Sequence, residues 1–247
     1  MRRTLATAAM AVAATAALLM LGACDRDLTG DAAFGQRVRA YLLAHPEVIQ
    51  ESAQRLEVKL ASDEAAAMRR GQAQLPRLRA AVERDPADFV ANPNGRVTVT
   101  EFYDYRCPHC VNAAPKVLAL IATHPEVRFV FKEMPIFGAL SEHAARAALA
   151  VKAAGGDYLG LYQAYMSARP LDDDLIDALA RQKGVIAVPA ANSHIASTAA
   201  LFNQLALGGT PAFIVGDQFI YGEDMDAVEA AVAKAGGRTA KVDVASR

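Results

Sequence analysis

The chain has 247 residues, a formal net charge of −1 at pH 7 and a hydrophobic content of 53%, to which many alanines contribute. This length suits one domain with an appendage, and the near-neutral charge gives no basic field that would favour nucleic acid as a partner. The sequence contains no tryptophan, Gly-rich phosphate loop, low-complexity segment or internal repeat.

The first residues have the layout of a bacterial secretory signal peptide. Arg2 and Arg3 give a positive start, residues 4–23 carry no charged side chain, and charge returns at Asp25. The segment ends in Leu21-Gly22-Ala23-Cys24, which resembles a lipobox, in which the cysteine becomes the lipidated first residue of the mature protein. We therefore predict a signal peptide of residues 1–23 and lipid attachment at Cys24.

Two alternatives remain open for this segment. An ordinary cut could leave Cys24 unmodified, or the segment could stay as a membrane helix, for which about 20 apolar residues suffice. All three interpretations place the rest of the chain in the periplasm or another extracytoplasmic space, where disulfides persist.

Residues 24–87 are predicted to form a helical arm without strands. His45-Pro46 separates two helices, and Gly71 and Pro76 divide off a third piece that ends at Asp85-Pro86. An amphipathic helix must bury its apolar stripe, so the arm either associates with copies of itself or folds back on the rest of the chain. The stripes comprise Phe34, Val38, Tyr41 and Leu42, and then Val48, Ile49, Ala53, Leu56 and Leu60.

The pattern changes after the turn sequence Asn92-Pro93-Asn94-Gly95, which introduces a second domain of residues 88–240. β-Branched and aromatic residues predict strands, and alanine-rich stretches predict helices. We expect strands at residues 96–105 and 127–134 with a helix between them, helices across residues 141–207, a hairpin at residues 211–221 and a last helix at residues 225–235.

The sequence Cys107-Pro108-His109-Cys110 lies between the first of these strands and its helix. A Cys-x-x-Cys motif at this position suits a redox dithiol. Cys107 would lie at the helix N-terminus, where free N–H groups and the macrodipole favour a thiolate, and Cys110 would lie one turn later. Pro108 suits the first helical position, and His109 could add positive charge beside the thiolate.

Half of a zinc site is the alternative for this motif, but structural zinc needs four ligands. The other cysteine, Cys24, belongs to the membrane-proximal segment, and the remaining histidines are scattered along the chain. We therefore predict neither a metal nor a cofactor. These histidines are His45, His124, His143 and His194.

Two further motifs are residues 101–110, which end in the dithiol, and residues 208–216, which contain Thr210-Pro211. Together these motifs resemble a known family, the DsbA-like thiol-disulfide oxidoreductases. The resemblance implies a thioredoxin fold, in the α/β class, with an inserted helical subdomain. The arm around Tyr41 and the turn at residues 92–95 resemble the ScsC/Com1-like branch, although Ala91 stands where many members have glycine.

The resemblance also implies roles for individual residues. Cys107 would be the attacking nucleophile and Cys110 the resolving thiol. Thr210-Pro211 would be a cis-proline loop that packs against the dithiol and pairs with a substrate strand. Glu101 would be a buried acid that relays the proton of Cys110, with Lys132 on the neighbouring strand as its partner; a strand-edge glutamate and a solvated lysine are the alternative. Asp104 and Tyr105 would shape the loop.

The expected function is thiol-disulfide exchange with unfolded or misoxidised secreted proteins, together with a membrane redox partner. Thr210 before the proline and an arm that could form trimers favour an isomerase or reductase, and a monomeric oxidase is the alternative. A copper-binding protein that holds Cu(I) through Cys107, His109 and Cys110 is an alternative of another class, and an adhesin or assembly factor is a third.

Overall fold

The computed structural model describes residues 26–245, with side chains described for residues 32–236. The predicted signal peptide and Cys24 lie outside the described residues. The described residues divide into two units, residues 26–64 and residues 65–245. Within residues 26–245, no helix combines the length and the apolar character needed to cross a membrane.

The first unit contains helix α1 (Arg26–Ala44) and the beginning of helix α2 (Glu47–Glu83). The break between these helices at His45-Pro46 is as predicted, because proline disfavours a helical conformation in the residue before it. Large apolar side chains in this unit remain exposed, so its helices do not form a closed core of their own. They are Phe34, Val38, Tyr41, Leu43, Ile49, Leu56, Val58 and Leu60.

The prediction of a separate helix divided off at Gly71 and Pro76 is wrong, because α2 continues through both residues to Glu83. Tertiary packing outweighs their low helix propensity. Leu75 and Val82 are buried in the second unit, and a Cβ at Gly71 would overlap the carbonyl oxygen of Leu205. Gly71 is therefore the residue that allows this close approach of two backbones.

A five-stranded sheet organises the second unit, in the order β1-β3-β2-β4-β5. β2 and β3 are parallel and are joined by helix α3, while the other pairs are antiparallel. The short strand β1 was not predicted. The elements are β1 (Phe89–Ala91), β2 (Val97–Tyr103), α3 (Pro108–Thr123), β3 (Val127–Glu133), β4 (Ala212–Val215) and β5 (Gln218–Tyr221).

Helices occupy the long segment between β3 and β4, and one more follows β5. They are α4 (Ala139–Ala153), α5 (Tyr158–Ser167), α6 (Asp173–Gln182), α7 (Ser193–Gln204) and, after the hairpin, α8 (Met225–Ala245). This arrangement confirms the predicted α/β class with an inserted block of helices.

The two faces of the sheet carry separate apolar clusters. Tyr103 and Phe131 belong to the cluster that also contains residues of α3, α4 and α5. Phe102 belongs to the cluster that contains Leu75 of α2 and Leu201 of α7. Neighbouring residues of a strand point to opposite faces, so Phe102 and Tyr103 separate the two clusters. Each large apolar side chain buried in this way contributes about 1.5–3 kcal/mol to stability.

Side chains of the sheet bind the last carbonyl groups of α2, which have no partner within the helix. Lys132 Nζ donates to the carbonyl of Ala81 at 2.6 Å, and Thr100 Oγ1 donates to that of Val82 at 3.3 Å. Arg128 donates to the carbonyl of Glu83 at 2.6 Å. Two of these three donors are cations, which the negative end of the helix dipole favours.

We predict that Gly71→Ala lowers the free energy of unfolding by about 1–3 kcal/mol, because the added methyl group forces α2 away from the backbone at Leu205. Gly35→Ala is the matched control, since a Cβ at Gly35 of α1 meets nothing within 4 Å. Urea titration followed by circular dichroism measures both variants. An unchanged midpoint for Gly71→Ala would show that the two backbones can separate without cost.

Candidate active site

The two cysteines lie where β2 passes into α3. Cys107 is the N-cap residue of α3, in an extended conformation with φ −69° and ψ 119°, and Pro108 occupies the start of the helix. Proline suits this position because the first N–H groups of a helix have no intrahelical partner. The Cys107 side chain makes no cap hydrogen bond, but the N–H groups of His109 and Cys110 lie close enough to its sulfur to lower its pKa, as the sequence predicts.

Cys107 and Cys110 are both buried free thiols. Cys107 Sγ lies 3.1 Å from the carbonyl oxygen of Thr210, to which it donates when it is protonated. The Thr210–Pro211 peptide bond is cis, as the resemblance implies, and β4 begins at the next residue. The loop before β4 therefore contacts the reactive end of α3.

The surroundings of the two thiols separate their acidities. The Cys110 thiol donates to the Cys107 sulfur and, together with the backbone N–H groups of Cys110 and His109, lowers the pKa of Cys107 to about 5 against the effect of burial. Burial raises the pKa of Cys110, and its bond to Cys107 and the charge of Glu101 act in the same direction. Cys107 is therefore the thiolate at neutral pH, and Cys110 keeps its proton.

His109 contributes to this effect through its main chain. Its backbone N–H is among the groups that lower the pKa of Cys107. Its ring is exposed and lies with Nδ1 3.6 Å from Glu223 Oε1. The ring through which His109 was expected to act on Cys107 therefore lies beside a carboxylate.

Glu101, on β2, is completely buried. Within the part of the chain that the structure describes, neither of its carboxylate oxygens has a hydrogen-bond partner. Burial raises its pKa well above the usual range, and the charges of Glu133 and Cys107 raise it further. Because the charge of Glu101 in turn raises the pKa of Cys110, the two groups are close enough to act on each other.

The predicted pairing of Glu101 with Lys132 is wrong. Lys132 is the register partner of Phe102, not of Glu101, which is opposite Phe131. It therefore points to the other face of the sheet, where Nζ lies 2.5 Å from Asp88 Oδ2. The sequence predicts the correct strand for Lys132. The strand register, however, places Lys132 one residue away from the position opposite Glu101, and its side chain therefore lies on the other face of the sheet.

Asp104 shapes the loops around the dithiol, as predicted. Its Oδ1 accepts from the N–H of Arg106 at 2.7 Å. Its Oδ2 accepts from the N–H groups of Ile136 at 2.7 Å and Phe137 at 3.0 Å. Arg106 donates in addition to the carbonyl of Phe137 at 2.7 Å. The turn before Cys107 and the loop after β3 are thereby held together.

Sequence reasoning missed two groups of buried or partly buried ionisable side chains in this unit. Glu133, at the end of β3, accepts hydrogen bonds from three tyrosines, and its only sign in the sequence is an acid in an apolar strand. Asp85, Asp88 and His194 form a cluster of metal-ligating type, but Lys132 already neutralises Asp88 there. Neither group contains the cysteines.

The family can be assigned from the sequence of this unit. A family model described as a DSBA-like thioredoxin domain matches residues 98–233. The chain belongs to this family. A second model, described as the N-terminal domain of copper resistance protein ScsC, matches residues 31–62. Both matches confirm the resemblance found in the sequence, and the chain is a DsbA-like thiol-disulfide oxidoreductase.

Solved structures of thioredoxin-like proteins are similar to this chain. A thioredoxin-like oxidoreductase from Silicibacter pomeroyi DSS-3 is 36% identical, with 64% of this chain and 98% of that one covered and a TM-score of 0.59. A periplasmic thioredoxin-like protein from Salmonella enterica serovar Typhimurium is 29% identical, with 64% and 95% covered and a TM-score of 0.59.

The structure of Proteus mirabilis ScsC in a transitional conformation matches a larger part of this chain than the two structures above. It is 24% identical, with 81% of this chain and 92% of that one covered and a TM-score of 0.63. At this identity the match shows a shared fold. A search of curated proteins found no match.

We predict that iodoacetamide modifies Cys107 at neutral pH and spares Cys110, with an inflection in the Cys107 rate near its pKa of about 5. A Cys24→Ala background restricts the reaction to the two thiols. Cys110→Ala should move the inflection to higher pH, because the largest contribution that lowers the pKa is removed. Equal rates for both thiols at pH 7 would contradict the assignment.

Proposed function

We propose that this protein exchanges disulfides with secreted proteins outside the cytoplasm through Cys107-Pro108-His109-Cys110, and that it acts as an isomerase or reductase. The observation that carries the proposal is the position of Cys107 at the N-terminus of α3, with a pKa of about 5 and the Thr210 carbonyl 3.1 Å away. Pro108 fixes the start of the helix, and Thr210 and Pro211 form the opposite wall of the site.

The exchange would begin with attack of the Cys107 thiolate on one sulfur of a client disulfide. A new S–S bond forms, and the other client sulfur leaves as a thiolate. Cys110 then transfers its proton to Glu101 and attacks Cys107, which releases the second client sulfur. Both electrons that reduce the client come from the Cys107–Cys110 dithiol, and the protein is left with a disulfide.

An isomerase needs only the first half of this sequence. A second thiolate of the same client would displace Cys107 and form a different client disulfide. Cys107 returns as a thiolate, so no net oxidation occurs. A membrane redox partner would restore the dithiol whenever Cys110 completes the reduction instead.

Unfolded or misoxidised proteins are the proposed clients, because an apolar surface stands beside the dithiol. Ile136 is 43% exposed and Phe137 is 44% exposed. Asp104 and Arg106 bind the main chain of this same segment and fix it next to the turn that precedes Cys107. Exposed apolar residues of this kind suit clients that have not buried their own.

The isomerase assignment also rests on the arm, residues 24–87, which we propose assembles three copies of the chain. The exposed stripe of the first unit supports this, since Phe34, Tyr41 and Leu56 are all more than half exposed. The match of residues 31–62 to the N-terminal domain of ScsC supports it too. The choice of a trimer follows from the resemblance to the ScsC branch.

The location proposed is the periplasm, with the protein tethered through lipidated Cys24. The similar Salmonella protein is described as periplasmic, which supports the compartment. The lipobox-like sequence 21–24 supports the anchor.

A monomeric dithiol oxidase is the second candidate, because the acidic Cys107 favours the reduced form and makes the disulfide form oxidising. The copper-binding alternative has less support. The His109 ring lies beside Glu223, and the cluster of possible metal ligands within the described residues is Asp85, Asp88 and His194.

We predict that the mature protein reduces insulin with dithiothreitol and refolds scrambled ribonuclease A. Cys107→Ser should abolish both reactions, because no other thiolate is present at the helix N-terminus. Cys110→Ala should keep much of the isomerase activity and lose most of the reductase activity, since only reduction needs the second thiol. If Cys110→Ala loses both activities equally while oxidation of reduced ribonuclease persists in the intact protein, the oxidase is the better assignment.

We predict that Leu56→Asp and Tyr41→Asp convert an oligomer into a monomer, because a charge then lies in the apolar stripe. Light scattering coupled to gel filtration measures the mass. Gln54→Asp is the matched control, since Gln54 is an exposed polar residue of α2, the helix that contains Leu56. A mature protein that already elutes as a monomer would show that the arm does not assemble copies.

A further inference from the structure

Glu133 lies in a cluster of four buried oxygen atoms that the exchange mechanism above does not use. Its Oε1 accepts from the hydroxyls of Tyr103 at 2.6 Å, Tyr105 at 2.9 Å and Tyr158 at 2.6 Å. The Tyr103 hydroxyl also lies 2.9 Å from that of Tyr105 and 2.7 Å from that of Tyr158. All four side chains are buried to within 1% of their surface.

This cluster can gain or lose one proton while its four side chains keep their positions. The three tyrosine hydroxyls carry three protons. They make three contacts to the carboxylate and two contacts to each other, so there are fewer protons than contacts. With Glu133 ionised, all three can point to Oε1. With one more proton on the carboxyl group, a tyrosine proton is free to bridge two hydroxyls. Burial raises the pKa of Glu133 to about 8, against the lowering effect of the three hydroxyls, so both states are accessible near neutral pH.

The register of the sheet places this cluster next to Glu101. Glu133 pairs with Tyr103 across β2 and β3, and Glu101 precedes Tyr103 by two residues on the same face. The charge of Glu133 raises the pKa of Glu101. The titratable groups around Glu133 are Asp104 and Tyr105 from the turn after β2, Tyr103 and Glu101 from β2, and Tyr158, Tyr162 and Tyr165 from α5. All of them are acids.

We propose that Glu133 is a positioning residue for disulfide exchange, whose charge strengthens Glu101 as the acceptor of the Cys110 proton. This proposal rests on the proton-accepting role given to Glu101 above. The proton moves from Cys110 Sγ to a carboxylate oxygen of Glu101. The Cys110 sulfur then bonds to Cys107 Sγ, while the bond between Cys107 and the client breaks and the client sulfur leaves with the electron pair.

The test follows the release of a client peptide from its mixed disulfide with Cys107 in single turnovers between pH 5 and pH 10. The protein is the mature chain with Cys24→Ala. Glu133→Gln should move the inflection of this rate to lower pH by about one unit, because Glu101 then ionises without a neighbouring charge. Glu229→Gln is the matched control, since it removes one exposed charge from α8, and it should leave the inflection in place. Glu101→Gln should remove the inflection.

Carbon-13 spectra of labelled glutamate carboxyl groups give a second measurement. A carboxyl that titrates near pH 8 should be present in the reduced protein and absent in Glu133→Gln. If Glu133→Gln does not fold, Tyr158→Phe replaces it, since it removes one donor and keeps the ring. It should raise the pKa of Glu133 and move the release inflection in the same direction by a smaller amount.

The outcomes separate this proposal from the proposed function. A protein that forms no mixed disulfide, or whose release does not need Cys110, contradicts the proposed function itself. Release that needs Cys110 and Glu101 but has the same pH profile in Glu133→Gln and Tyr158→Phe overturns the role of Glu133 and leaves the exchange reaction intact.

Discussion

The alternation of side chains along β2 determines where the charged groups of this site lie. Glu101 and Tyr103 point to the face that carries the catalytic helix α3, whereas Thr100 and Phe102 point to the face that carries α2. Parallel pairing with β3 repeats the same division one strand away, with Glu133 on the first face and Lys132 on the second. A slip of one residue in this register would exchange every one of these groups.

The chemistry at the top of the site depends on a difference between two sulfurs that lie one helical turn apart. Cys107 caps the start of α3, where N–H groups are free, and Cys110 lies within the helix, close enough to Glu101 for that charge to raise its pKa. A hydrogen bond from Cys110 to Cys107 favours the charge on the first and the proton on the second, so each thiol reinforces the state of the other. A low pKa at Cys107 stabilises the reduced form, and what the protein does with its electrons then depends on which redox partner it meets.

Sequence alone predicts the parts of this fold that have strong local patterns. The dithiol at a strand-to-helix junction, the hairpin at Gly216-Asp217 and the helix break at His45-Pro46 all follow from local residue types. Contacts between segments that are distant in the sequence could not be predicted from local patterns. Gly71 and Pro76 have the local pattern of helix breakers. The reason for the glycine is its close approach to the backbone at Leu205, which comes 134 residues later in the chain. The partner of Lys132 was wrong for the same reason, since a strand pattern does not reveal the register of its neighbour.

The two faces of the sheet hold two buried charge systems that are chemically opposite. On the α2 side Lys132 pairs with Asp88 and binds the end of α2, so the charges there are compensated. On the α3 side, burial and the charges of Glu133 and Cys107 all raise the pKa of Glu101. Each of them therefore favours its protonated form. If Lys132 had faced Glu101, the carboxylate would have been stabilised and would hold a proton only weakly. With the lysine on the far side of the sheet the pKa of Glu101 stays raised, as the role proposed for it, acceptor of the Cys110 proton, requires.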